Sequence, residues 1–180
     1  MFQPQLNQCV RVQTQLGNLL QETVNLSSEV YKVGFLDFKA ISLEQKIRDI
    51  ESKAKTSREE VQSATKSIDS VKNALQKIKV TSEVVKEVES INQICEHINT
   101  MPLMINSYLE DMSNFLSSNN VFGACMNLIR SVQYTLQSIT IATIETVNLV
   151  VTPILAEVSS GSSVIARFLA GTRQKLLGGR

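Results

Sequence analysis

His97 is the only histidine in this chain, so zinc ligation or proton transfer at neutral pH would have to start there. Cys95 and Glu96 precede it by two and one positions, a spacing that does not share a helical face and makes no ligand set. It is expected to fill an ordinary place on a helix surface. Cys9, Cys95 and Cys125 form an odd trio without CxxC or metal-type spacing, and they read as small buried residues. Cys125 sits in Gly123-Ala124-Cys125-Met126 with no activating base beside it, so its expected role is packing. Glu59-Glu60 and Glu110-Asp111 are adjacent pairs that splay around a helix as solvated surface. Glu83 and Glu87 share a face, but a di-iron carboxylate site needs Glu-x-x-His twice. Gly171-Thr172-Arg173-Gln174-Lys175 lacks the second glycine and the Lys-Ser/Thr pair of a phosphate-binding loop. The expectation is a protein without catalytic residues, cofactor, metal or small-molecule substrate.

Charge narrows the partners. The formal net charge is +1, and the long central stretch alternates sign instead of forming a basic stripe, so nucleic acid is not expected. Asp37 to Glu89 is dense with charge, whereas Met112 to Ala166 carries only Arg130, Glu145 and Glu157. The first stretch reads as a solvated helix with one buried seam, the second as a segment buried on most sides by protein or by lipid. Beyond Glu157 the charges are all basic: Arg167, Arg173, Lys175 and Arg180. Glu145 is an isolated carboxylate in an apolar run, costly to bury without a partner. It fits the wet edge of a bundle, or a polar position in a membrane-inserting or oligomerising segment. The polar N-terminal stretch shows no secretory pattern, which leans intracellular.

The elements that must position these groups are helices. The chain has 7 Gly, 3 Pro and no Trp, with 43% apolar residues, a composition that favours an all-helical, loop-poor protein. Along one segment Leu43, Ile47, Ile50, Ala54, Ser57, Val61, Ala64, Ile68, Val71, Leu75 and Ile78 repeat with 4-3 spacing, and no Gly or Pro interrupts Phe35 to Met101. The centre of this seam is small at Ala54, Ser57 and Ala64, so a bulky surface should face it. The flanking charges do not specify a homodimer, and an antiparallel helix of the same chain is the default partner.

Before this helix, Leu6, Val10, Leu16, Leu20, Val24 and Val30, with Cys9, Leu19 and Leu26 beside them, predict a helix from about Gln5 to Val33 ended by Gly34. Ser42 and Gln45 match a capping box for the second helix. A turn is expected near Lys79 to Ser82, with Thr81 as the next cap before Val84, Val88, Ile91, Cys95 and Ile98. Pro102 suits the first turn of another helix capped by Thr100, with Met104, Tyr108, Met112 and Phe115 on its apolar face. Ser117 to Asn120 reads as a loop. Val121 to Val158 is read as helix on a seam of Leu128, Val132, Leu136, Ile139, Thr143, Val147, Val150 and Ile154. Ser159 to Ser163 is a Gly/Ser linker, and Val164 to Leu177 a short amphipathic helix.

The expected fold is all-α: an elongated helical bundle over residues 1–160 with a long coiled-coil-like helix and an apolar C-terminal helix, then a linker and basic amphipathic helix over 161–180. The heptads are generic and no motif is specific enough to name a family. The first functional expectation is a structural or scaffold protein acting by protein–protein interaction or self-assembly, with contacts at Ala54, Ser57, Val61 and Ala64 and at Phe168 and Leu169. The alternative is a membrane-active protein that inserts residues 139–156, including Glu145, while Arg167, Arg173 and Lys175 meet anionic headgroups.

Overall fold

The computed structural model describes residues 2–33, 40–75, 81–118 and 122–146. Among them the chain forms four helices and no strand: α1 (Gln3–Val33), α2 (Ala40–Leu75), α3 (Ser82–Ser117) and α4 (Gly123–Thr146). They pack as one bundle around a single apolar core.

The 4-3 seam of α2 is buried at every described side chain. Leu43, Ile47, Ile50, Ala54, Ser57, Val61, Ala64, Ile68 and Val71 all face inward. Leu75 falls at the helix end and Ile78 beyond it, and their side chains lie outside the described residues.

Cross-helix contacts set the topology. Arg11 pairs with Glu60, Glu22 with Lys53, and Glu29 with Lys46, so numbering falls along α2 as it rises along α1, and the two helices are antiparallel. The Phe2 amide donates to Glu87, Gln13 bonds His97, and Tyr31 meets Phe115 edge-on with ring centroids 5.1 Å apart, so α1 and α3 run parallel. Ser131 on α4 bonds Glu51 on α2, and Cys125 lies within electrostatic reach of Glu44, a second parallel pair. Ser113 on α3 reaches Met126 on α4 across an antiparallel wall. Walls therefore form between α1 and α2, α1 and α3, α2 and α4, and α3 and α4, while the passage from α2 to α3 crosses the diagonal.

Thr81 is the N-cap of α3, its hydroxyl accepting from the Val84 amide at 3.4 Å, as the sequence predicts. The expected cap at Ser42 is corrected: α2 is already helical at Ala40, and Gln45 donates to Asp49 at 3.2 Å instead of reaching back.

The apolar face of α1 is rotated from the expected one. Cys9, Val12, Leu16, Leu19, Thr23, Leu26 and Val30 point inward, whereas Val10 is 44% exposed. This set keeps strict 3-4 spacing only by including Thr23. Its hydroxyl can be buried because it donates to the Leu19 carbonyl of its own helix at 2.8 Å.

Nor does Pro102 begin a helix. It lies inside α3, and Thr100 caps nothing, its hydroxyl donating to the Glu96 carbonyl at 2.9 Å. A proline at an interior position removes the amide that would bond the Ile98 carbonyl and costs about 3 kcal/mol. Ile98, Ile105, Leu109, Met112 and Leu116 continue one buried stripe through it, and each such side chain contributes about 1.5–3 kcal/mol on burial. The stripe outweighs the proline. It also turns Met104, expected on the apolar face, to the surface at 46% exposure.

In α4 the inward residues are Cys125, Ile129, Val132, Thr135, Leu136 and Ile139, with Leu128 half-buried beside them. Thr143 lies in α4 without a described side chain, and the remaining expected seam, Val147 to Ile154, falls outside the described residues.

Ala64 is 4% exposed on the α2 seam, next to solvated Gln62. Ala64→Glu should lower the urea unfolding free energy by about 3 kcal/mol or abolish folding, because it buries an unpaired carboxylate. Gln62→Glu should change it by less than about 0.5 kcal/mol. Equal stability of the two variants in urea melts would contradict the seam.

Candidate functional site

The groups that sequence reasoning weighed for chemistry sit in ordinary surroundings. His97 is exposed, its Nδ1 2.6 Å from the Gln13 amide nitrogen. All three cysteines are free and buried. Cys9 and Cys95 meet on the α1–α3 wall, where the hydrogen bond between the thiols, then burial, pushes Cys95 well above the ordinary thiol range. Burial, with Glu44 nearby, raises Cys125 too. The same thiol contact draws Cys9 the other way, against the effect of its burial, but its side chain is fully enclosed, and all three thiols sit as packing residues. Glu51 has a depressed pKa. The Ser131 hydroxyl donates to it at 2.7 Å and holds it down against the opposing effect of burial, with Lys55 at 3.3 Å assisting. That bond ties α2 to α4.

Among the described residues, two of the surface grooves differ in character. Between α1 and α2 a cleft of about 290 Å³ is lined by Gln15, Asn18, Glu22, Lys53 and Thr56, and the Glu22–Lys53 ion pair spans it. Beneath it the antiparallel register sets Leu16 and Leu19 level with Ser57 and Ala54, large against small.

The other groove, about 590 Å³, runs between α3 and α4. Leu103, Asn106 and Glu110 line one wall and Arg130, Gln133 and Tyr134 the other. Leu103 is 59% and Tyr134 72% exposed. They are the two most exposed large apolar side chains among the described residues, and both line this groove.

Comparison with protein-family models, with curated proteins and with solved structures finds no match for this chain. The site therefore rests on geometry alone.

Ala54, Ser57, Val61 and Ala64, expected as partner contacts, lie between 0% and 4% exposed inside the chain's own bundle. A second protein would reach them only by opening the helices. Glu145 is in α4, but its side chain falls outside the described residues, as do Phe168, Leu169, Arg167, Arg173 and Lys175. Of the apolar segment 139–156, Ile139 has a described side chain and it faces the core. Among the described residues no helix is long and apolar enough to cross a membrane.

Sequence reasoning missed the α3–α4 groove. Its signal was Leu103 and Tyr134, two large residues out of phase with the buried stripes on either side of them.

In the native protein the three thiols should resist a water-soluble thiol reagent, with labelling rates well below those of the chain in guanidinium, where all three react. Rapid labelling of any of them under native conditions would contradict their packing.

Proposed function

We propose that this protein acts by protein–protein contact, including self-assembly, in a structural or scaffold role and not as an enzyme. The observation that carries the reading is the outward pair Leu103 and Tyr134, which face each other across the α3–α4 groove. Large apolar side chains scattered singly on a surface are commonplace. The two most exposed of them share one groove with polar flanks, an arrangement that matches the apolar centre and polar rim of a protein interface. Tyrosine supports this further, because a rigid amphipathic ring gives much contact area for little lost conformational freedom.

In this reading the bundle is an elongated, coiled-coil-like rod whose outer faces do the binding. Helices of 31 and 36 residues in α1, α2 and α3, about 45 to 55 Å long, support that shape. The interior is a packed core and takes no ligand.

The test is a photo-reactive phenylalanine analogue at Leu103, compared with the same analogue at exposed Ser52 on α2, in cells that express the full chain. A cross-linked product of defined mass from Leu103, absent from Ser52, is the expected result. No product from Leu103, or identical products from both positions, would rule this face out as the contact surface.

A further inference from the structure

We infer that the occupant of the α3–α4 groove is a second copy of the same chain, docked by a two-fold axis parallel to the bundle. The inference rests on the contact reading above and adds the partner's identity.

The Ser113–Met126 contact fixes the register of the antiparallel wall. Moving back along α3 and forward along α4 by equal steps brings Glu110 level with Arg130, Asn106 with Gln133, and Leu103 with the turn that carries Tyr134 and Gln137. The groove thus has an acid on one lip and a base on the other at the same height, an amide on each at the next, and Leu103 and Tyr134 on opposite lips within about one helical turn of each other. Among the described residues neither Glu110 nor Arg130 makes an ion pair.

A two-fold axis along the groove exchanges its lips. It sets α3 of one copy against α4 of the other and keeps every height matched. Glu110 then meets Arg130 of the other copy, and the reverse, so one attraction is formed twice. Leu103 packs on the tyrosine ring of the other copy. An isologous interface requires a patch complementary to itself, and this groove has that property in charge and in apolar surface. A lip of uniform charge would repel its own copy.

Sedimentation velocity and native mass spectrometry of the full chain, across about 1 to 100 μM, should show a monomer–dimer equilibrium. Glu110→Arg alone and Arg130→Glu alone should each raise the dimer dissociation constant by about tenfold or more, because each places like charges together twice. Mixing the two variants, one of them isotopically heavy, should restore a dimer that contains one of each, with circular dichroism unchanged throughout. A chain that stays monomeric over the range would overturn the inference, as would a dimer unmoved by both substitutions or a mixture that forms no heterodimer. The photo-probe at Leu103 separates the failures. Capture of a different protein by a monomeric chain leaves contact through this face standing without self-association, and capture of this chain's own residues 147–180 shows that the face is covered from within. No capture at all removes both readings.

Discussion

The structure depends on one constraint: each helix has a single narrow inward stripe, and all four stripes must close on one another. A 3-4 spacing of buried residues drifts by only about 20° per heptad, and the stripes on α1, α2 and α3 stay on the core for about eight to ten turns, lengths of about 45 to 55 Å. Where a stripe meets an unsuitable residue, the residue is accommodated and the stripe is kept. Thr23 turns its hydroxyl onto its own backbone, and Pro102 gives up a helical hydrogen bond. Ala54 and Ser57 leave room that Leu16 and Leu19 occupy from the facing helix.

The topology follows from the same closure. A chain that crosses the diagonal between α2 and α3 creates two parallel walls, α1 with α3 and α2 with α4, joined by two antiparallel ones. The α1–α2 wall is laced by three exposed ion pairs, Arg11–Glu60, Lys53–Glu22 and Lys46–Glu29. Each contributes about 0.2–1 kcal/mol at most, so they select register more than they stabilise. The α2–α4 wall is tied by the half-buried Glu51–Ser131 bond, where the carboxylate is drawn below its usual range. The α3–α4 wall has its Ser113–Met126 contact below the surface and a wide groove above it. There the surface chemistry differs from the rest of the bundle, with apolar side chains outward and a level acid and base left unmatched within the described chain.

The all-helical class and the α2 seam were legible because a 4-3 pattern uninterrupted by Gly or Pro is compatible with little except a long helix with one buried face, and the Thr81 cap because its chemistry is local. The face of α1 was not, since a buried threonine is indistinguishable in sequence from a solvated one until its hydroxyl is seen to have a backbone acceptor. Pro102 misled for a related reason. Local propensity argues for a helix start there, and only the apolar stripe running through it from both sides overrides that preference. The groove on α3 and α4 was hidden because Leu103 and Tyr134 look like core residues in a chain rich in apolar positions, and their outward direction is fixed only once two neighbouring helices have claimed the opposite faces.

Parallel pairing of α1 with α3 is the central geometric claim, because it decides which helices share a wall and which faces are left outward. Electron–electron distance measurements read it directly, using spin labels attached through genetically encoded ketones so that the buried thiols stay native. Labels at exposed Ser28 and Asn114 should lie within about 20 Å, as neighbouring helices do at one height. Labels at Ser28 and Glu83 should lie about 45 Å apart, the rise of the intervening turns of α3. A short distance for Ser28 with Glu83 and a long one for Ser28 with Asn114 would place the helices antiparallel and contradict the topology from which the outer groove follows.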